Sequence, residues 1–139
     1  MQDFHDLQRF VDAQQGVIDT VRNELARGRK QTHWIWFIFP QIAGLGHSAM
    51  AARFAMANLE EASAYLAHPV LGPRLRECCE LMLKAGEKSV EQILGPPDDM
   101  KFRSSMTLFS RATSDNAVFN ACLEKYFDGI PDSATLARI

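Results

Sequence analysis

Along almost the whole chain, apolar residues recur three and four positions apart, and a glycine, a proline or a capping side chain interrupts the pattern at short intervals. That rhythm admits a set of short packed helices and little else, because a strand needs a two-residue period. Phe4, Leu7, Phe10 and Val11 form one stripe, with Asp3 placed to cap it. After Gly16, a second stripe of Val17, Ile18, Val21 and Leu25 stops at Gly28, a residue suited to a left-handed helix end. Ser48 can cap a helix running through Ala57, and Asn58 the next, with Glu61 completing a capping box. A longer helix is expected from about Leu71 to Ala85. Ser89 and Gln92 form a second capping-box pattern. Asp98, Asp115 and Asp132 are each placed to start a further helix. The class is all-α: a compact bundle of about seven short helices in a single domain over residues 1–139.

One stretch does not declare itself. Residues 33–41, His33-Trp34-Ile35-Trp36-Phe37-Ile38-Phe39-Pro40-Gln41, are too short and too uniformly apolar for their period to separate a buried strand from a short helix.

Composition excludes several functions. A hydrophobic share of 47% is that of a chain able to bury a core, and a formal net charge of −2 gives no general attraction to nucleic acid. The patch Arg27, Arg29 and Lys30 could touch a phosphate backbone, but a solvated helix end explains it more simply. The longest apolar run, Trp34 to Pro40, is far too short to span a bilayer, and the N-terminal residues carry no secretory pattern. Three cysteines, two of them the neighbours Cys78 and Cys79, suit free buried thiols in a reducing, cytoplasmic setting. His5, His33, His47 and His68 lack metal-ligand spacing, and Gly44-x-Gly46 alone is no dinucleotide fingerprint, so neither a metal nor a cofactor is implied.

Two segments mix polar and aromatic residues more than a core requires. In 33–48, the rings of Trp34 and Trp36 offer stacking faces, His33, Gln41 and Ser48 offer polar contacts, and backbone amides from Gly44 to Ser48 could receive an anion at a helix start. Against this, the simpler reading makes Trp34, Trp36, Phe37 and Phe39 part of the hydrophobic core. In 98–109, Asp98, Lys101 and Ser105 fall near one another on a helix, flanked by Ser104 and Thr107. They could bind an anion or orient a water; the plainer account is a helix cap, an ion pair and hydroxyls bonded to backbone.

Three motifs carry a resemblance. They are His33-Trp34-x-Trp36-Phe37-x-Phe39-Pro40-Gln41-x-x-Gly44-Leu45-Gly46-x-Ser48, Tyr65-Leu66-x-His68-Pro69-x-Leu71-Gly72-x-Arg74-Leu75, and Ile93-Leu94-Gly95-x-Pro97-Asp98-Asp99-x-Lys101-x-x-Ser104-Ser105-Met106-Thr107-Leu108-Phe109. From about Leu7 to Leu136 the chain resembles the bacterial domain of unknown function 1810 family, departing at Phe102, where many members have leucine. The resemblance implies a compact helical fold and no particular activity. Some members are labelled calpastatin-like, a label that suits an extended inhibitor chain rather than this globular pattern.

The expectation is a small-molecule site for a nucleotide-like or phosphorylated ligand where 33–48 meets 98–109. Trp34 or Trp36 would stack, Lys101 would hold the anion with Gln41, Ser48, Ser104 and Ser105 nearby, and Asp98 or His33 would act as acid or base in any hydrolytic step. The competing expectation is a non-catalytic protein-interaction module working through an exposed apolar patch.

Overall fold

The computed structural model describes residues 3–139; Met1 and Gln2, at the start of the expected domain, lie outside the described residues. It is all-α, with ten helices among the described residues instead of about seven: α1 Gln8–Gln15, α2 Ile18–Ala26, α3 Ile35–Ile38, α4 Ala49–Arg53, α5 Leu59–Ala67, α6 Leu71–Leu83, α7 Val90–Leu94, α8 Asp98–Ala112, α9 Ala117–Phe127 and α10 Ser133–Leu136. The excess consists of pieces of four or five residues. A single turn satisfies so few of its own hydrogen bonds that neighbouring structure, not local periodicity, decides whether it forms.

Several ends follow the sequence signals. Gly28 and Gly129 adopt the left-handed backbone that closes α2 and α9. Both halves of the Ser89–Gln92 capping box form, at 2.8 and 3.1 Å. Others differ for identifiable reasons. Helix α4 stops at Arg53 rather than Ala57, because Met56 leaves the helical path to form a parallel bridge with Ile42: its amide donates to Gln41 O and its carbonyl accepts from Ala43 N, each at 2.8 Å. Asn58 caps α5 through Glu61 N at 2.9 Å. The Glu61 carboxylate does not complete the box; it accepts from Ala57 N at 3.0 Å and faces Arg9. Asp98 and Asp115 cap no helix, being drawn instead into ion pairs with Lys30 and Arg76.

Helix α8 is the central element. It packs against α3, α5, α7, α9 and α10, and buries Phe102, Met106 and Phe109 completely. The buried apolar side chains form one cluster, which includes three of the four rings of the aromatic segment: Trp34, Phe37 and Phe39. Cys78, Cys79 and Cys122 are free and fully buried, and burial pushes the Cys78 thiol up to about 12, well away from the nucleophilic thiolate. No helix among the described residues is long and apolar enough to cross a membrane.

The aromatic segment is a single helical turn, α3, and it is tied down from behind. The carboxylate of Glu24 on α2, 4% exposed, accepts hydrogen bonds from Gln31 N (2.7 Å), Thr32 N (3.0 Å), Thr32 Oγ1 (2.7 Å) and Trp34 Nε1 (3.0 Å). Burial alone would raise its pKa, but these donors outweigh burial and hold it at about 2. A depressed carboxyl stabilises the fold above its unfolded value near 4.5, and that contribution is lost as pH falls towards 2. The shift corresponds to about 3 kcal/mol at neutral pH. Glu24→Gln puts an amide donor among donors; urea unfolding at pH 7 should show a loss of this order, and the acid limb between pH 4.5 and 2 should flatten in the variant. An unchanged midpoint would exclude this role for the carboxylate. A second weak point is Gly72, where an added Cβ would lie 2.1 Å from the Leu66 carbonyl oxygen. Gly72→Ala should therefore cost roughly 1–3 kcal/mol despite alanine's higher helix propensity; a stabilised variant would contradict the close approach.

Candidate functional site

Glu24 holds the ring that precedes α3, Trp34, inside the core. Trp34 stands just before the turn and Trp36 within it, and the two rings end in different surroundings. Trp34 is 1% exposed in the core, while Trp36 is only half-buried. Trp36 forms one wall of a cleft of about 440 Å³. Gln41 and the loop from Leu45 to Ser48 continue that wall, and Pro97, Met100, Lys101 and Ser104 of the α8 region face it. Asp132 and Ala134, beside and within α10, close a third side.

Volume does not single this cleft out. Surface grooves of about 410 and 480 Å³ lie along Arg76–Val118 and around Gly86–Glu91. What distinguishes the cleft is that four separate chain segments bring an aromatic face, one lysine, one carboxylate and several neutral polar groups to a mainly apolar lining, whereas the groove around Gly86–Glu91, which also holds lysines, carboxylates and Tyr126, is drawn from two. Such convergence of a few polar groups on a mainly apolar hollow is the usual form of a small-molecule site.

The lysine is held by a chain of charges. Lys30 Nζ lies 2.8 Å from Asp98 Oδ2, and its side chain is 7% exposed. Lys101 Nζ lies 3.5 Å from Asp98 Oδ1 and 5.1 Å from the centre of the Trp36 ring. Two ammonium groups thus share one carboxylate, leaving a surplus positive charge at the cleft wall. Lys101 is the only Lys or Arg among the described residues lining the cleft.

Of the sequence-predicted site residues, Trp36, Gln41, Ser48, Lys101 and Ser104 line this one cleft. Trp34 does not; its indole is engaged with Glu24, and Lys30 Nζ lies 5.1 Å from its ring centre. Ser105 is fully buried on the core side of α8, and its hydroxyl has no hydrogen-bond partner among the described residues. His33 is exposed and lies outside the cleft lining; His47 lines it instead. Asp98 sits behind Lys101, paired on both carboxylate oxygens. The amides expected to hold an anion contribute less than their sequence suggests: α4 has only five residues, and Ser48 Oγ already accepts from Ala51 N at 3.1 Å. Ser104 and Thr107 do bond back to the carbonyls of Met100 (3.2 Å) and Arg103 (2.8 Å), as hydroxyls inside a helix tend to. They also meet Asp132. Among the described residues, no group of three or more His, Cys, Asp and Glu side chains is gathered in a way that could hold a metal ion.

The family described as "Protein of unknown function (DUF1810)" matches residues 4–139. A crystal structure of the conserved hypothetical protein Rv1873 from Mycobacterium tuberculosis is similar to this chain with a TM-score of 0.96. It is 53% identical in sequence, over 97% of this chain and 96% of that one. No curated protein matches the chain.

The ion-pair chain behind the cleft is open to test. Removing Asp98 would strand the buried ammonium of Lys30, so Asp98→Ala should destabilise the fold by about 3 kcal/mol in urea. Adding Lys30→Met should restore most of that loss, because the unpaired charge goes with it. Equal stability of Asp98→Ala and the parent would mean that the pair carries no structural weight.

Proposed function

The chain belongs to the DUF1810 family, whose description assigns no activity, and from the cleft itself we propose that it binds a small phosphorylated ligand carrying a flat ring, of which a nucleotide is the commonest kind. The observation that carries the proposal is the pairing of Lys101 with Trp36: an ammonium 5.1 Å from the ring centre, both lining the same cleft. A ring stacked on Trp36 would take the place of the ammonium now over that face, and Lys101 would turn to the phosphate. The lysine is pre-positioned by Asp98, and Lys30 offsets much of that carboxylate's charge. Gln41, Ser48 and Ser104 supply neutral contacts. Cation and aromatic ring are thereby gathered in one cleft before the ligand arrives.

A hydrolytic step would draw on His47 and Asp132, which line the cleft, and not on His33, which lies outside it. The alternative of a protein-interaction module has less support. The large exposed apolar side chains among the described residues are Phe4, Met100, Ile130 and Ile139; of these only Met100 lines the cleft.

A thermal-shift series with nucleoside monophosphates and sugar phosphates tests the proposal. At a hundredfold excess over Kd, binding adds about 2.7 kcal/mol, enough to raise Tm by several degrees. Lys101→Ala should weaken binding at least tenfold, since a hydrogen bond to a charged group contributes about 1.5–3 kcal/mol. Trp36→Ala should weaken it by a similar factor through lost stacking. No shift with any of these compounds, or full binding by Lys101→Ala, would refute the proposal.

A further inference from the structure

The third side of the cleft is built by a segment whose sequence announces only a helix cap. Asp132 does cap α10, accepting from Thr135 N at 3.1 Å and Thr135 Oγ1 at 2.6 Å. It is also fastened to α8: its amide donates to Thr107 Oγ1 at 2.9 Å, and Ser104 Oγ lies 3.0 Å from its carboxylate, its one proton shared between that oxygen and the Met100 carbonyl. Beyond α10, the guanidinium of Arg138 lies over Gly44, so close that a Cβ there would meet Nη1 at 2.4 Å. The C-terminal segment therefore reaches from α8 to Gly44.

All three donors to the Asp132 carboxylate fall on Oδ2. Among the described residues, Oδ1 accepts no protein hydrogen bond, and no Lys, Arg or His lies within ion-pairing distance of the group. Its partner Ser104 is three positions from Lys101, one turn along α8. The cleft lining thus holds both an ammonium, on Lys101, and a carboxylate, on Asp132, with one oxygen free of protein donors among the described residues.

Such a cleft disfavours a ligand with many negative charges, because the carboxylate repels those that Lys101 cannot reach. It also disfavours a ligand ammonium, which Lys101 would repel. Neutral hydroxyl donors beside a single phosphate meet both groups. Resting on the reading of the cleft as a phosphoryl-ligand site, we infer that Asp132 is its specificity-determining residue, accepting the paired hydroxyls of a ribose-type sugar, so that the ligand is a ribose monophosphate or nucleoside monophosphate and not a polyphosphate. A carboxylate is suited to a neighbouring hydroxyl pair, as it has acceptor capacity and no donor when ionised.

Isothermal titration with AMP, 2′-deoxy-AMP, ATP and ribose 5-phosphate decides the matter. The parent should bind AMP about tenfold more tightly than 2′-deoxy-AMP and than ATP. In Asp132→Asn, the amide oxygen can keep the Thr135 and Ser104 bonds, so the cap and the fold are retained. The amide nitrogen then replaces Oδ1, and it cannot accept from a hydroxyl. The variant should lose the preference for AMP over 2′-deoxy-AMP and bind ATP more tightly than the parent does. Equal binding of AMP and 2′-deoxy-AMP by the parent overturns the role of Asp132 while leaving the phosphoryl site standing. Absence of binding by AMP and ribose 5-phosphate alike overturns both. If Asp132→Asn melts early, the parent's own discrimination between AMP and its deoxy analogue decides for or against Asp132.

Discussion

The aromatic wall of the cleft traces back to one buried carboxylate. Glu24 gathers four donors from residues 31–34, and in doing so sets the rotation of the single turn that follows. With Trp34 pinned inward by its indole nitrogen, Trp36 is the ring of this segment left on the cleft. Without that anchor, four aromatic rings in a row would have several ways to bury themselves, none clearly preferred by periodicity. A polar interaction thus selects among near-equivalent hydrophobic arrangements. The buried charge is tolerated because its donors are local and well aligned, two of them backbone amides that would otherwise need partners of their own.

Helix α8 supplies the other wall and divides its residues between two duties. Phe102, Ser105, Met106 and Phe109 repeat at the spacing of a core-facing stripe and are fully buried. Lys101 and Ser104 lie at the edge of that stripe, facing the cleft. That division could be read from the sequence. Once Phe102, Met106 and Phe109 are taken as core, Ser105 belongs with them and Ser104 does not. Grouping Asp98, Lys101 and Ser105 by spacing alone overlooked the apolar residues that claim the same face. The unpartnered Ser105 hydroxyl marks where a polar group was carried into that stripe.

Much of the fold was legible because it rests on local rules: apolar stripes for the longer helices, glycines at their ends, side chains that cap them. The shorter pieces were not, because each is settled by a distant partner. Helix α4 ends where Met56 pairs with Ile42, and α3 exists as a turn because Glu24 and Pro40 bracket it. The site shows the same split. Residue types in 33–48 and 98–109 pointed to a hollow with an aromatic face and a lysine. Their meeting across a long stretch of intervening chain has no local signal. Asp132 is the clearest case: its cap to Thr135 is written in adjacent residues, whereas its bonds to Ser104 and Thr107 cross 28 and 25 positions.

The arrangement behind Lys101 follows from the cost of leaving charge without a partner. A lone Asp98 beside Lys101 would neutralise it, and a ligand anion would then compete with a carboxylate already in place. Lys30 changes that balance. Its contact with Asp98 is shorter, 2.8 Å against 3.5 Å, and its side chain is the more deeply buried of the two lysines. Attraction grows as separation and effective dielectric fall, so Asp98 belongs chiefly to Lys30 and only secondarily to Lys101. The carboxylate orients the outer ammonium over Trp36 without cancelling it. A lysine on a flexible stem becomes a fixed positive point on one wall, facing a carboxylate fixed by α10 on another. On the proposed reading of the cleft, it is this pair of held charges in a mostly apolar hollow, more than its volume, that would give it chemical selectivity.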